Sequence, residues 1–235
     1  MQRYFIETDE FILNKEQIRH ITRVMRMNVG EYIEIVHKGV CYISKIASLN
    51  PFEVTKVEVL KDSSELNVDI TLLYCLPKGD KLEFVIQKAT EIGVKRIILV
   101  QSSRCVSKFK KEDFDRKLER FKKIAIEASE QSHRLIVPIV EEIIDYKDIN
   151  KYHFDYAYIA YENEEKGTFL KDLSNVKNGE SIGIIVGPEG GFSKEEVEYA
   201  TRENYKSITL GKRILRSETA CVFALSVISY LIEGK

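Results

Sequence analysis

The sequence has no tryptophan, only four prolines and only four cysteines in 235 residues. Cys41, Cys75, Cys105 and Cys221 are scattered with no C-x-x-C pair. That spacing argues against a zinc site or a disulfide framework and for reduced thiols in a cytoplasmic protein; no metal is expected. No apolar run approaches the roughly 18 residues of a membrane span. The N-terminus lacks the apolar core of a signal peptide, so neither a membrane nor export is expected. Several nucleotide and hydrolase signatures are also missing. The first strand–helix turn, Leu76-Pro77-Lys78-Gly79-Asp80, carries no G-x-G-x-x-G, and the P-loop, G-x-S-x-G and H-E-x-x-H patterns do not occur.

What is present describes an ordinary globular chain, 44% hydrophobic and 31% charged, with a formal net charge of −1. The charge is unevenly spread. Residues 78–134 hold 15 Lys/Arg against 9 Asp/Glu, whereas residues 141–205 hold 7 against 15. A near-neutral molecule of this kind can still offer phosphate one attractive face.

Two patterns divide the chain. In the first sixty residues, Glu31–Val36 and Val40–Ile46 flank a glycine turn, Phe52–Leu60 alternates, and Lys15–Met27 predicts one helix with an Ile18, Ile21, Met25 stripe. This is a small β-rich module, expected as a compact barrel. Residues 61–65 read as a linker, giving domains of 1–66 and 67–235. From Val68 strands and helices alternate: strands near 70–76, 96–100, 156–161, 181–186 and 207–210, a helix with Leu82, Val85, Ile86 and Ala89 on one face, and a long helix over 112–134. Ser193 with Glu196 forms a capping box, Ser217 is the expected N-cap of the last helix, and Thr219–Ile232 is apolar nearly all round. Such a helix must be buried in the core or against a second subunit. The alternation predicts an α/β sandwich with a mostly parallel sheet.

Two glycine loops follow two of these strands. Ile184–Gly191 reads I-I-V-G-P-E-G-G, and Leu210–Ala220 reads L-G-K-R-I-L-R-S-E-T-A. Bare backbone at successive strand–helix junctions suits a flat ligand in one cleft, and Arg213 and Arg216 place cations beside it. Arg19, Arg23 and Arg26 share one face of the predicted first helix with His20 and form a candidate phosphate-contacting group. Arg104 and Arg134 add cations in the basic segment.

These stretches resemble the RsmE family of 16S ribosomal RNA uracil-N3 methyltransferases, within the SPOUT superfamily, over the whole length. Matching residues are R-Y-F at Arg3–Phe5, H-I-T-R-V-M-R at His20–Arg26, K-G-D-K-L-E-F-V-I-Q-K-A-T-E-I-G-V at Lys78–Val94, S-R at Ser103-Arg104, E-A-S-E-Q-S-H-R at Glu127–Arg134, G-P-E-G-G-F-S at Gly187–Ser193 and the loop Leu210–Ala220. Met25 stands where leucine is usual and Ser217 where threonine is common. The resemblance implies a PUA-like RNA-binding domain followed by a methyltransferase domain with a C-terminal trefoil knot, active as a homodimer. It implies S-adenosylmethionine as cofactor, bound by Tyr161, Glu162, Ile185, Gly187, Pro188, Gly190, Leu210, Gly211, Ile214 and Leu215. Arg216 would stabilise the uracil anion, with Glu189 and Glu218 as candidate bases by location alone. RNA contacts would come from Arg3, Arg19, His20, Arg23, Arg26, Arg104 and Arg134. The partner would be 16S ribosomal RNA or the assembled small subunit. The competing expectations are a ribose 2′-O-methyltransferase of the same superfamily and a non-catalytic assembly factor that binds RNA.

Overall fold

A computed structural model describes the chain apart from residues 7, 9, 62, 108–110, 165–167 and 235 and the side chains of 111–113. Asp62, within the expected linker, therefore lies outside the described residues. The chain forms two compact units, Met1–Glu65 with Ser129–Ile136, and Leu66–Ala128 with Val137–Lys235.

In the first unit, strand β1 (Arg3–Ile6) precedes a short helix α1 (Lys15–Arg19) and three strands, β2 (Tyr32–His37), β3 (Val40–Leu49) and β4 (Phe52–Leu60). The sheet order is β1-β2-β3-β4, with β1 parallel to β2 and the other pairs antiparallel. Tyr4, Ile6, Leu13, Ile21, Ile33, Ile35 and Ile46 are its core. The single helix expected over Lys15–Met27 is replaced by α1 and a π-helical turn, His20–Val24. The Met25 amide donates to the His20 carbonyl, five residues back. That wider turn ends the apolar stripe at Ile21, and Met25 is exposed rather than buried. Strand β1 is not legible in the sequence because it is four residues long and holds a buried charge. Arg3 Nε donates to Glu34 Oε2 at 2.8 Å, and its Nη1 donates to the carbonyls of His133 and Arg134.

The second unit is built on six parallel strands in the order β10-β8-β9-β5-β6-β7, namely β5 (Asp69–Cys75), β6 (Arg96–Gln101), β7 (Ile139–Asp145), β8 (Tyr156–Ala160), β9 (Ser181–Val186) and β10 (Lys206–Ile208). Helices α2 (Lys81–Glu91), α3 (Lys111–Gln131), α4 (Phe169–Asn175), α5 (Lys194–Arg202) and α6 (Ser217–Glu233) complete it. The inner strands are continuous apolar runs because both faces are covered, as parallel sheets require. Ile70, Leu72, Leu73, Ile97, Ile98, Leu99, Ile182, Ile184 and Ile185 are all fully buried. The sequence pattern does not announce β7 or α4: β7 is an edge strand interrupted by Glu141 and Glu142, and α4 spans two turns. Helix α3 ends at Gln131, so Arg134 is not helical; His133 takes a left-handed φ of 56°.

The strand order reverses at the site. The chain steps from β8 inward to β9, then returns past β8 to place β10 at the edge. Loops leaving the carboxyl ends of β8, β9 and β10 therefore converge, the arrangement that makes a crevice in open α/β sheets.

Gly183, inside β9, shows how tightly that region is packed. A Cβ built there would lie 2.2 Å from the Phe154 ring. Gly183→Ala should destabilise the protein by roughly 1–3 kcal/mol through overpacking. Combining it with Phe154→Leu should recover much of the loss, since neighbouring substitutions couple. Thermal denaturation of the two single variants and the double variant checks this; additive losses would mean the ring is not the obstacle.

Candidate functional site

The convergent loops enclose a cleft of about 370 Å³, within the usual range for small-molecule sites. It lies wholly in the second unit. One wall is the loop after β9, with Gly187, Pro188, Glu189 and Gly190; another is the loop after β10, with Leu210, Gly211, Arg213, Ile214, Leu215 and Arg216. Tyr161 and Glu162 stand at the end of β8. Nine of the ten residues expected to hold the cofactor thus line one space. Ile185 does not: it is fully buried within β9, with its side chain in the sheet core.

The β9 loop is fixed from two sides. Arg104 Nη1 donates to the Gly190 carbonyl at 2.9 Å and the Phe192 carbonyl at 3.1 Å. The capping box is present, with Ser193 Oγ accepting from the Glu196 amide and the Glu196 carboxylate accepting from the Ser193 amide. Glu196 also accepts from the Ser103 amide at 2.8 Å, so one buried carboxylate ties the β6 loop to the β9 loop. At Gly191 φ is +64°, which strains any residue with a side chain, and a Cβ would displace the Glu162 carboxylate, whose Oε1 lies 2.5 Å from its position. Gly211 differs. Its φ of +112° demands glycine, yet open space surrounds the missing Cβ.

Cations and carboxylates share the rim. Arg213 and Arg216 are exposed, and among the described residues neither forms a hydrogen bond or ion pair through its side chain. Arg216, not Ser217, is the N-cap of α6. Ser217 is instead the first helical residue, and its hydroxyl lies 2.7 Å from the Tyr74 hydroxyl in the core. The two carboxylates expected as bases are already engaged. Lys81 Nζ lies 2.8 Å from Glu189 Oε1 and 3.1 Å from Glu218 Oε2. Both Glu189 oxygens also accept from the Lys78 amide, at 3.2 and 3.3 Å. Burial pushes the Glu189 carboxyl up, but the Lys81 ammonium and the amides outweigh it and hold the group below its ordinary value. A carboxylate held by several donors is a poor proton acceptor near neutrality. Glu218 is not among the residues lining the cleft. Lys81 and Glu196 carry no signal of a site role in the sequence, although Lys81 falls within a matching stretch.

The seven expected RNA contacts separate into two kinds. Arg3 and Arg134 are 3% and 2% exposed; Arg134 Nη2 bonds Glu65 Oε2 at 2.7 Å, as Arg3 bonds Glu34. Buried guanidiniums with carboxylate partners are structural clamps and cannot reach phosphate, which corrects both assignments. Arg104 points its Nη1 at the β9 loop. His20 is half-buried, with Nδ1 2.9 Å from the Tyr4 hydroxyl. Arg19 and Arg23 are exposed and line one shallow depression together with Lys15, Ile18 and Thr22. Arg26 is exposed but outside that depression, with a left-handed φ of 53°, so the expected three-arginine helical face is two arginines. Among the described residues no cluster of His, Cys, Asp and Glu could hold a metal ion, and no helix is long and apolar enough to cross a membrane.

A family model described as an RNA methyltransferase domain matches residues 64–229, and one described as an RNA methyltransferase PUA domain matches residues 13–58. The chain is 37% identical over 251 residues to ribosomal RNA small subunit methyltransferase E of Bacillus subtilis, covering 99% of this chain and 98% of that one. It is 32% identical over 231 residues to the protein of the same name from Mesomycoplasma hyopneumoniae, covering 96% and 98%. Among solved structures it is similar to a ribosomal RNA small subunit methyltransferase E from Neisseria gonorrhoeae bound to S-adenosyl methionine. The TM-score is 0.87, with 29% identity and 98% of each chain covered.

The lowered Glu189 pKa has a stability consequence of known sign. A carboxyl that is more acidic folded than unfolded adds stability above its ordinary value of 4.5, and that stability is lost as pH falls through the folded value. An NMR titration of the Glu189 carboxyl carbon should give a midpoint below 4.5. Glu189→Gln should lower the melting temperature slightly at neutral pH, and the difference should shrink as pH falls below 4.5. A midpoint at or above the ordinary value would show that the Lys81 and Lys78 donors do not hold the group.

Proposed function

The chain belongs to the ribosomal RNA small subunit methyltransferase E family, and from that premise we propose that it transfers a methyl group from S-adenosylmethionine to N3 of a uridine in 16S ribosomal RNA. The observation that carries this reading is the cleft at the β8, β9 and β10 ends. Its walls combine glycine backbone with the apolar side chains of Leu210, Ile214 and Leu215, the Glu162 and Glu189 carboxylates, and the guanidinium of Arg216, which has no side-chain partner among the described residues. The residues present fit the cofactor. Leu210, Leu215 and the exposed Ile214 offer apolar surface to a flat purine, and the backbone at Gly187, Pro188, Gly190 and Gly211 leaves room beside it. Glu162 supplies a carboxylate for a cationic or hydroxyl-bearing ligand. When bound, S-adenosylmethionine supplies a methyl group activated by its sulfonium.

Uracil N3 becomes nucleophilic once its proton leaves, and the resulting anion is delocalised onto the ring oxygens. Arg216 suits that charge electrostatically. N3 lies on the Watson–Crick edge, so the target base must be unpaired or flipped out. The first unit, Met1–Glu65 with Ser129–Ile136, is the PUA-like RNA-binding part, and the second is the SPOUT methyltransferase part, whose C-terminal loops follow the trefoil-knot path. Arg19 and Arg23, with Arg26 nearby in sequence, contact phosphate, which positions RNA without reading bases. The protein works in the cytoplasm on 16S ribosomal RNA or the assembled small subunit.

It acts as a homodimer. Helix α6 buries Cys221, Ala224, Leu225, Ile228 and Ile232 within its own unit, while Phe223 and Tyr230 remain exposed. Phe84, on helix α2 packed against α6, is exposed as well. A second copy covering this face would bury on the order of 2,000 Å² in total. Light scattering should give twice 27.2 kDa at micromolar concentration; a stable monomer would refute the dimer.

Incubation with S-adenosylmethionine and small-subunit particles or RNA, followed by nucleoside digestion, should yield a base-methylated uridine. A ribose-methylated product would move the enzyme to the 2′-O class, and no product with no cofactor binding would leave an RNA-binding assembly factor. Within the same assay, Arg216→Ala should slow single-turnover methylation by about 10²-fold with little change in RNA affinity. Arg19→Ala with Arg23→Ala should weaken RNA binding and reduce its salt slope by about one unit per lost contact, leaving cofactor affinity unchanged. Wild-type methylation by Arg216→Ala would remove that residue from the chemistry.

A further inference from the structure

We propose that Lys81 is a positioning residue for the cofactor cleft, its ammonium bracing together the two loops that bound it, through Glu189 on one and Glu218 at the foot of the other. The brace bears on the cofactor only if this cleft is the S-adenosylmethionine site, the reading on which it rests. Lys81 is the first residue of α2 and is not among the residues lining the cleft. Its Nζ donates to Glu189 Oε1 at 2.8 Å and lies 3.1 Å from Glu218 Oε2, an ion pair without hydrogen-bond alignment. Glu189 sits in the β9 loop and lines the cleft; Glu218 sits in the first turn of α6, directly after the β10 loop.

Three features distinguish this arrangement from an ordinary surface ion pair, which contributes little. First, all three side chains are partly sheltered, at 30%, 31% and 18% exposure for Lys81, Glu189 and Glu218. Second, each element is separately anchored. Glu189 is also held by the Lys78 amide, and the α6 start is pinned from below by the Tyr74–Ser217 contact. Third, two carboxylates face each other across one cation. Removing that cation leaves like charges converging, and the cheapest relief is for the loops to part. The cost then appears in the spacing of the cleft walls more than in global stability. Both partners raise the Lys81 pKa, Glu189 the more, so the brace is charged throughout the neutral range.

The roles of the two ends follow from the same geometry. Losing the positive charge should disturb ligand-free loops as well as ligand binding, and neutralising one carboxylate should relieve the disturbance. A side chain that merely filled space would show neither effect.

The test compares Lys81→Met, Lys81→Arg, Glu218→Gln and Lys81→Met with Glu218→Gln, alongside Gly211→Val as a probe of the cleft itself. Amide hydrogen exchange over residues 187–191 and 209–217 is measured without cofactor, and S-adenosylmethionine affinity by calorimetry. Lys81→Met should speed exchange in both loops and weaken cofactor binding about tenfold, with recovery as pH is lowered into the carboxylate range. Lys81→Arg should stay within about threefold of wild type, and the double variant should regain most of the loss. Should Lys81→Met fail to fold, Glu218→Gln decides, since it cuts one arm and should loosen the β10 loop alone. Unchanged exchange and affinity in Lys81→Met, with Gly211→Val weakening binding as expected, would overturn the brace and leave the site standing. No cofactor binding by the wild type, or wild-type affinity in Gly211→Val, would overturn the reading of the cleft and the brace with it.

Discussion

Everything in the catalytic unit follows from a six-stranded parallel sheet covered on both faces. Strands such as Ile70–Cys75 and Ile182–Val186 are buried throughout, so only a strand-end residue such as Val186 reaches the cleft. Polar groups must then gather where the strands end. The reversal of strand order places three of those ends together, and the loops leaving them supply backbone, glycine and charge to one cleft. Ile185 illustrates the rule from the other side. It lies two residues before Gly187 and is nonetheless core, because the sheet has not yet ended there.

The same separation of core from rim explains the arginines. Arg3 and Arg134 sit in the first unit on Glu34 and Glu65, where burial makes a partner obligatory. Both Glu65 oxygens are engaged, and one of them also accepts from the Leu135 and Ile136 amides, so the Arg134 pair closes the turn after α3. Arg213 and Arg216 have no such partner among the described residues, and their charge faces outward beside the cleft. In the sequence all four read as cations free to meet a ligand, whether RNA or the reacting base. Desolvation divides them into clamps and candidate contacts.

The glycine loops, the capping box at Ser193 and the parallel α/β alternation were legible because each is a local signal: a residue type at a fixed offset from a strand end or helix start. What escaped was set by distant partners or by length. Strand β1 is short and charged; β7 is an edge strand carrying two glutamates; α4 is only two turns. The π-helical turn at His20–Val24 could not be read from spacing, since the spacing assumes the period that the turn breaks. Ser217 looks like a cap in sequence, and the structure instead gives its hydroxyl to Tyr74, a residue far away in the chain. Lys81 escaped for the same reason: neither of its carboxylates is near it in sequence.

The distribution of charge also constrains which step of the proposed reaction the protein can assist. Methyl transfer from a sulfonium to a uracil anion joins opposite charges, so the transition state carries less charge than the reactants. A site that held both charges firmly would stabilise the ground state more than the transition state and slow the transfer. Arg216 helps only if its benefit lies earlier, in favouring loss of the N3 proton. An exposed guanidinium, partly screened by solvent, suits that step because it makes the anion easier to form without binding it tightly. The anchoring of Glu189 by Lys81 and Lys78 fits the same logic. A carboxylate fixed in an ion pair neither takes the proton nor competes with the uracil anion for Arg216. In this reading Glu189 shapes the cleft wall, and the charge that matters for reactivity is that of Arg216, which has no carboxylate partner among the described residues.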